Sequence, residues 1–278
     1  VRVVKHTQIN EGEIGLRETG MLNSAQREQH EETSFGPVAA APTHFSICYT
    51  PRPGSALAQF GRSWFGRAND GATLQAFSAS SVGGHARESI TPTPGRYFGL
   101  HAAFTAPAPL RAGARLDEVR THLQRFTSRR KPIETGPLKL TRLRRSLVLQ
   151  PAEPRPELDW LALQCFNAFD SYAAMTETAE EELLHLSRYQ RLLLKSFGQP
   201  NVMSEYRFSL KLTGPLDENH LGRVTVALRP LVADLCTDGV CVDGLSLIGS
   251  TPEPAIGQPS GQNPGTPVRL LGRYALAG

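Results

Sequence analysis

A short pattern occurs twice in this chain, and it narrows the architectures open to the sequence. His101-Ala102-Ala103-Phe104-Thr105-Ala106-Pro107 can be laid over Ser209-Leu210-Lys211-Leu212-Thr213-Gly214-Pro215. Both copies end on Thr, a small residue and Pro, and an amphipathic helix pattern follows soon after each. Proline has no N–H to offer a ladder, so each segment reads as a strand stopped by a turn. Strand, turn and helix in the same order twice predict a duplicated unit whose halves meet across a shared site.

Side chains alternate along a strand, so each copy has two distinct faces. In the first, His101, Ala103 and Thr105 share one face, with Leu100, Ala102 and Phe104 on the other. In the second, Arg207, Ser209, Lys211 and Thr213 oppose the apolar set Tyr206, Phe208, Leu210 and Leu212. If the two polar faces meet, they line a cleft with one histidine, several hydroxyls and two cations. Such a cleft suits an anion, because Arg forks onto phosphate oxygens, Lys adds a point charge and hydroxyls donate hydrogen bonds. A half-solvated antiparallel sheet shows the same alternation with no site at all.

Around this pair the chain divides by pattern. Residues 1–43 are polar and aperiodic and are expected to be a flexible N-terminal extension. A first lobe is expected over 44–150 and a second over 151–278, with Pro151–Pro156 as the hinge. Strands are predicted at His44–Thr50, Phe98–Thr105, Leu138–Leu143, Ser146–Gln150, Tyr206–Thr213, Val240–Ile248 and Val268–Leu276. Helical spacing marks Leu57/Phe60/Trp64, Leu116/Val119/Leu123, Leu158/Leu161/Cys165/Phe169, Arg188–Phe197 and Leu221/Val224/Leu228, and Pro230 should kink or shorten the last. Ser78–Gly84 and Thr251–Pro267 read as Gly- or Pro-rich loops.

With 40% apolar and 20% charged residues the chain can build a packed core. It has no apolar run of the roughly 18 residues a membrane helix needs and no signal-like segment, so no membrane partner and a cytoplasmic location are expected. The net charge of +4 gathers at Arg129-Arg130-Lys131 and at Arg142, Arg144 and Arg145, which read as solvated surface. Cys48, Cys165, Cys236 and Cys241 lack zinc spacing, and His85, His122, His185 and His220 stand apart from other ligand types, so neither a metal nor a cofactor is expected. Trp64 and Trp160 are expected in the core, and Glu180-Glu181-Glu182 on a solvated helix face.

Four segments in order, Pro51–Arg67, Tyr97–Pro107, Val202–Gly214 and Val268–Leu276, resemble the phosphonate-metabolism-associated branch of the two-histidine (2H) phosphoesterases. The resemblance runs from about His44 onward. It implies an α+β fold, bilobal and pseudo-symmetric, with two antiparallel sheets facing a central cleft and helices outside. It also implies a His-x-Thr motif on a strand of each lobe, one histidine acting as general base and the other as general acid on a cyclic phosphodiester. This chain keeps His101 but has Ala103 for the first threonine, and Ser209 and Lys211 in the second motif.

The expected site is therefore His101 as the single acid or base, with Thr105, Arg207, Ser209, Lys211 and Thr213 holding the phosphate. The expected ligand is a small phosphate ester or cyclic nucleotide, an RNA end being the weaker candidate. Two functions stay open: weak or altered hydrolysis of a cyclic phosphate ester, and a non-catalytic binding or partner protein descended from such an enzyme. The bland readings beside them are a relic histidine and ordinary solvated charges.

Overall fold

A computed structural model describes residues 42–65, 81–82, 85–86, 99–175, 183–250 and 268–278. Most of the expected extension, the Thr251–Pro267 loop and Glu180-Glu181-Glu182 lie outside these residues. From Ala41 to Gly278 the chain forms one compact unit.

In chain order the strands are β1 (His44–Tyr49), β2 (Ser81–Val82), β3 (His85–Ala86), β4 (Ala102–Ala103), β5 (Ala108–Pro109) and β6 (Ile133–Glu134). They continue as β7 (Leu138–Leu143), β8 (Ser146–Pro151), β9 (Leu210–Lys211), β10 (Cys241–Val242), β11 (Gly244–Ser250) and β12 (Val268–Ala275). Two main sheets result. One runs β12-β11-β1-β4, with β5 also on β1, and the other runs β7-β8-β9. Every pairing among them is antiparallel. With helices at Ala56–Phe65, Leu116–Thr127, Pro156–Phe169, Arg188–Phe197 and Glu218–Leu231, the fold is α+β.

Strand pairing corrects the expected division at residue 150. The first sheet takes β1, β4 and β5 from the first half of the chain and β11 and β12 from its end, while β7 and β8 belong with β9. Each sheet is centred on one strand, β1 or β8, flanked on one side by a copy of the repeated pattern. The reason is long-range: the most apolar strand of the second half, β11, is buried along nearly its whole length and needs partners on both edges.

Helix limits follow local chemistry. Ser55 Oγ accepts from the Ala58 N–H (3.2 Å) and starts the first helix. Ser187 and Gln190 form a reciprocal capping box, and Gly198 ends that helix at φ 68°. The helix from Glu218 runs only one residue past Pro230 before Val232 breaks it. One core takes Leu57, Trp64, Val119, Leu123, Leu158, Leu161, Cys165, Phe169, Leu221, Val224 and Leu228 from the helices. Trp160 departs from expectation, for 60% of it faces solvent.

Candidate functional site

The duplication holds down to individual hydrogen bonds. In the first sheet the N–H groups of Phe104 and Thr105 both donate to the Ile47 carbonyl (2.8 and 3.1 Å). In the second, Leu212 and Thr213 do the same to Leu147 (2.9 and 3.3 Å). Two donors on one acceptor mark a bulge, and the chain twists out of the ladder there. This explains why the ladder of each expected long strand stops after Ala103 and Lys211. The register confirms the overlay, since Ala103 faces Cys48 on β1 as Lys211 faces Val148 on β8.

The bulge also corrects the role expected of the two threonines. It turns Thr105 and Thr213 inward, where each hydroxyl accepts a backbone N–H at 2.9 Å, from Ile47 and Leu147 respectively. Thr213 in addition donates to the Gly214 carbonyl at 2.9 Å. Both side chains are buried latches between strands rather than cleft-lining donors. Thr105→Val and Thr213→Val each strand a buried N–H and should cost about 1–3 kcal/mol, read as a lower melting temperature with ligand affinity unchanged.

Arg207 is likewise placed apart from the expected clamp. Its Nη1 donates to the carbonyls of Ser204 (2.7 Å) and Tyr206 (2.5 Å), and its charge acts on Asp159 of the helix Pro156–Phe169. The segment before Leu210 is not in the ladder, so strand alternation does not carry Arg207 to the side of Lys211.

His101, Ser209 and Lys211 remain. The apolar partners of each copy, Leu100, Ala102 and Phe104 on one and Tyr206, Phe208, Leu210 and Leu212 on the other, are buried in the single core. There Phe104 stacks on Tyr206 with ring centroids 6.0 Å apart, and the Tyr206 hydroxyl donates to the Ala103 carbonyl (3.2 Å). Trp64 Nε1 donates to the Leu212 carbonyl (2.7 Å), tying the first helix to the second copy. These contacts bring the two strand edges together, with Ala103 and Lys211 exposed and His101 and Ser209 partly buried.

His101 follows Gly99, whose φ of 95° favours glycine. Its Nδ1 lies 3.0 Å from the Gly99 carbonyl, which can only accept, so Nδ1 carries the proton and Nε2 is the basic nitrogen. Burial lowers the imidazole pKa below its ordinary 6.5, the Gly99 bond opposes this, and the Lys211 charge lowers it further. His101 is thus a neutral base at pH 7, with a cation from the other copy close enough to act on it.

The polar face continues across the first sheet into residues that pattern reading missed. Arg273, Ser246, Cys48 and Ala103 stand in one cross-strand row. The hydroxyls of Thr50 and Ser246 are hydrogen-bonded at 2.7 Å. Arg273 pairs with Asp243, and its Nε donates to the Thr50 carbonyl (3.3 Å). No sequence spacing announces this row, because its members lie on four strands from both ends of the compact unit.

A cavity of about 860 Å³ lies beyond the Thr105 end of the first sheet, with Ala106, Arg111, Arg144, His185 and Phe197 in its wall. Neither His101 nor Lys211 lines it. Among the described residues no group of three or more His, Cys, Asp or Glu side chains is arranged to hold a metal ion, and no helix is long and apolar enough to cross a membrane.

Comparison with known proteins adds three findings. The chain is 30% identical over 180 residues to the ribose 1,5-bisphosphate phosphokinase PhnN of Janthinobacterium sp. (strain Marseille), covering 63% of this chain and 39% of that protein. It therefore spans about two fifths of the length of this curated relative. Among solved structures it is similar to E. coli LigT complexed with 3′-AMP (TM-score 0.40, 13% identity, 86% of this chain and 100% of that chain). A second, a phosphoesterase, gives a TM-score of 0.41 at 13% identity, with 86% of this chain and 100% of that chain covered. Residues 103–256, more than half of the chain, match the family described as "Protein of unknown function (DUF1045)". They include the second copy of the repeat, the whole β7-β8-β9 sheet and, of the first sheet, β5 and β11, and the chain belongs to this family.

Proposed function

We propose that the chain is a phosphonate-metabolism-associated, 2H phosphoesterase-like protein that binds a small cyclic phosphate ester where its two strand copies meet. The observation that carries this reading is the duplicated strand edge: Ala103 and Lys211 hold equivalent register positions, and Tyr206 of the second copy packs on Phe104 and bonds the Ala103 carbonyl of the first, which carries His101 two residues earlier. A neutral imidazole beside an exposed ammonium is suited to a phosphodiester: Lys211 offsets charge on a non-bridging oxygen, and His101 Nε2 takes a proton from water. Hydrolysis then forms a bond from the water oxygen to phosphorus and breaks the bond to the ring oxygen, which takes a proton from solvent as it leaves while His101 returns its own to solvent. The four family-like segments support the phosphoesterase reading. The name of the curated relative supports a phosphorylated ribose as the scaffold of the ester.

A second reading is favoured by the composition of the site itself. Ser209 stands at the position equivalent to His101, so the pair holds one acid–base group where displacement at phosphorus benefits from two. On this reading the protein binds the ester without turning it over.

Both readings need binding, which is measured without turnover. Adenosine 2′,3′-cyclic phosphate at about 100 times its dissociation constant should stabilise the native protein by about 2.7 kcal/mol. Lys211→Ala should remove most of the resulting rise in melting temperature, and Arg207→Ala should leave it. No shift with this or any other phosphate ester would sink the proposal.

A further inference from the structure

The geometry points to Arg273 as a second anion site on the same polar face, one that holds a further, non-reacting phosphate of the ester. This rests on the reading that the face binds a phosphate ester. It adds that the ester carries two phosphates, one at His101 and Lys211 and one at Arg273.

Arg273 shares its cross-strand row with Ala103, and so the face on which His101 stands two residues earlier. The β1–β4 register, continued one step past Tyr49 and Ala102, sets His101 opposite Thr50. The Thr50 carbonyl is the acceptor of Arg273 Nε at 3.3 Å. The guanidinium lies close against Gly244 of β11. A Cβ at Gly244 would stand 2.9 Å from Nη1 and 3.0 Å from Cζ of Arg273. The same Cβ would stand 2.8 Å from the Tyr274 carbonyl oxygen, so a side chain at position 244 would crowd both the strand and the guanidinium.

Held between Thr50, Gly244 and Asp243, the guanidinium is fixed in one orientation. Its bonds to described residues engage Nε and Nη2, and a guanidinium has five N–H donors in all. The side chain keeps 18% of its surface in solvent. A largely buried arginine held by Thr50 and Asp243, with donors to spare, is suited to a phosphate, and Asp243 tempers its charge. Two strand spacings, roughly 10 Å, separate β4 from β11. A sugar ring with phosphates at both ends spans that separation when met by a long arginine side chain.

The test compares two probes by calorimetry, adenosine 2′,3′-cyclic phosphate with and without a 5′-phosphate. In the native protein the 5′-phosphate should tighten binding roughly tenfold or more. Arg273→Gln should erase that gain while keeping the affinity for the simpler probe. Asp243→Asn, which releases the full charge of Arg273, should enlarge it, and this variant decides the matter if Arg273→Gln melts below the assay temperature. Equal binding of both probes by the native protein overturns the inference and leaves the proposed function standing. So does a gain that survives Arg273→Gln, or one that Asp243→Asn leaves unchanged. If neither probe binds, the proposed function falls and takes the second site with it.

Discussion

Converting Ala103→Thr, Ser209→His and Lys211→Thr together should raise turnover of a 2′,3′-cyclic nucleotide by about 10²–10⁴ over the native chain. The structure supplies the reason for choosing these three positions. Ala103 and Lys211 occupy equivalent places, opposite Cys48 on β1 and Val148 on β8, and Ser209 matches His101 two residues earlier. The change therefore gives each copy one acid–base group and one hydroxyl. Adding His101→Ala should return the rate to the native level or below. The pH profile gives a second readout. His101 is held below 6.5 by burial first and then by the Lys211 charge, with the Gly99 bond opposing, and its need to be neutral sets the acid limb of the profile. Lys211→Thr removes the second cause, and the acid limb should move up in pH. A triple variant no faster than the native chain would mean that the strand edges do not frame a reacting phosphate.

Trp64→Ala should be the most damaging single substitution considered, at about 3–5 kcal/mol. Trp64 is 1% exposed and lies parallel to Phe60, with ring centroids 6.2 Å apart. Its indole N–H serves the Leu212 carbonyl at 2.7 Å. Losing the ring opens a cavity in the core and leaves a buried carbonyl short of a donor. Trp64→Phe separates the two effects, for it retains most of the volume and should cost about 1–3 kcal/mol from the lost hydrogen bond alone. Denaturant unfolding of both variants reads the difference. Equal, small losses would show that the indole bond and its packing are dispensable.

Much of this architecture was legible in the sequence because it is written in local chemistry. Period-two alternation placed Leu100, Ala102 and Phe104 in the core, and period-3.6 stripes placed Leu158, Leu161, Cys165 and Phe169 there. Ser55 and Gly198 punctuated their helices as their residue types predict. The repeat was legible too, and the structure reproduces its overlay residue for residue. What escaped depends on partners far along the chain. Alternation assumes a regular ladder, and the bulges at Thr105 and Thr213 end it, which is why both hydroxyls were expected in the cleft and are found in the core. Arg207 precedes the ladder and follows its own turn. Arg273 acquires its neighbours only through β11, so no spacing near it signals a place beside His101's face. Trp160 shows the limit of residue type: the same indole that anchors the core at position 64 stands outward at position 160.

The interleaved strand order sets a sequence of events for chain folding. The sheet that carries Lys211 is made from residues 138–211, and its β7–β8 hairpin is local in sequence, so it closes a short loop at small entropic cost. The sheet that carries His101 is different. Its central strand β1 pairs with β11, His44 meeting Ser250 some 200 residues later. As the chain is synthesised, β11 follows β1 by some 200 residues while β7 and β8 emerge together, so the hairpin is expected to form first. The two copies of the pattern should thus differ in age within each molecule, the sheet that holds Lys211 forming early and the sheet that holds His101 being completed last.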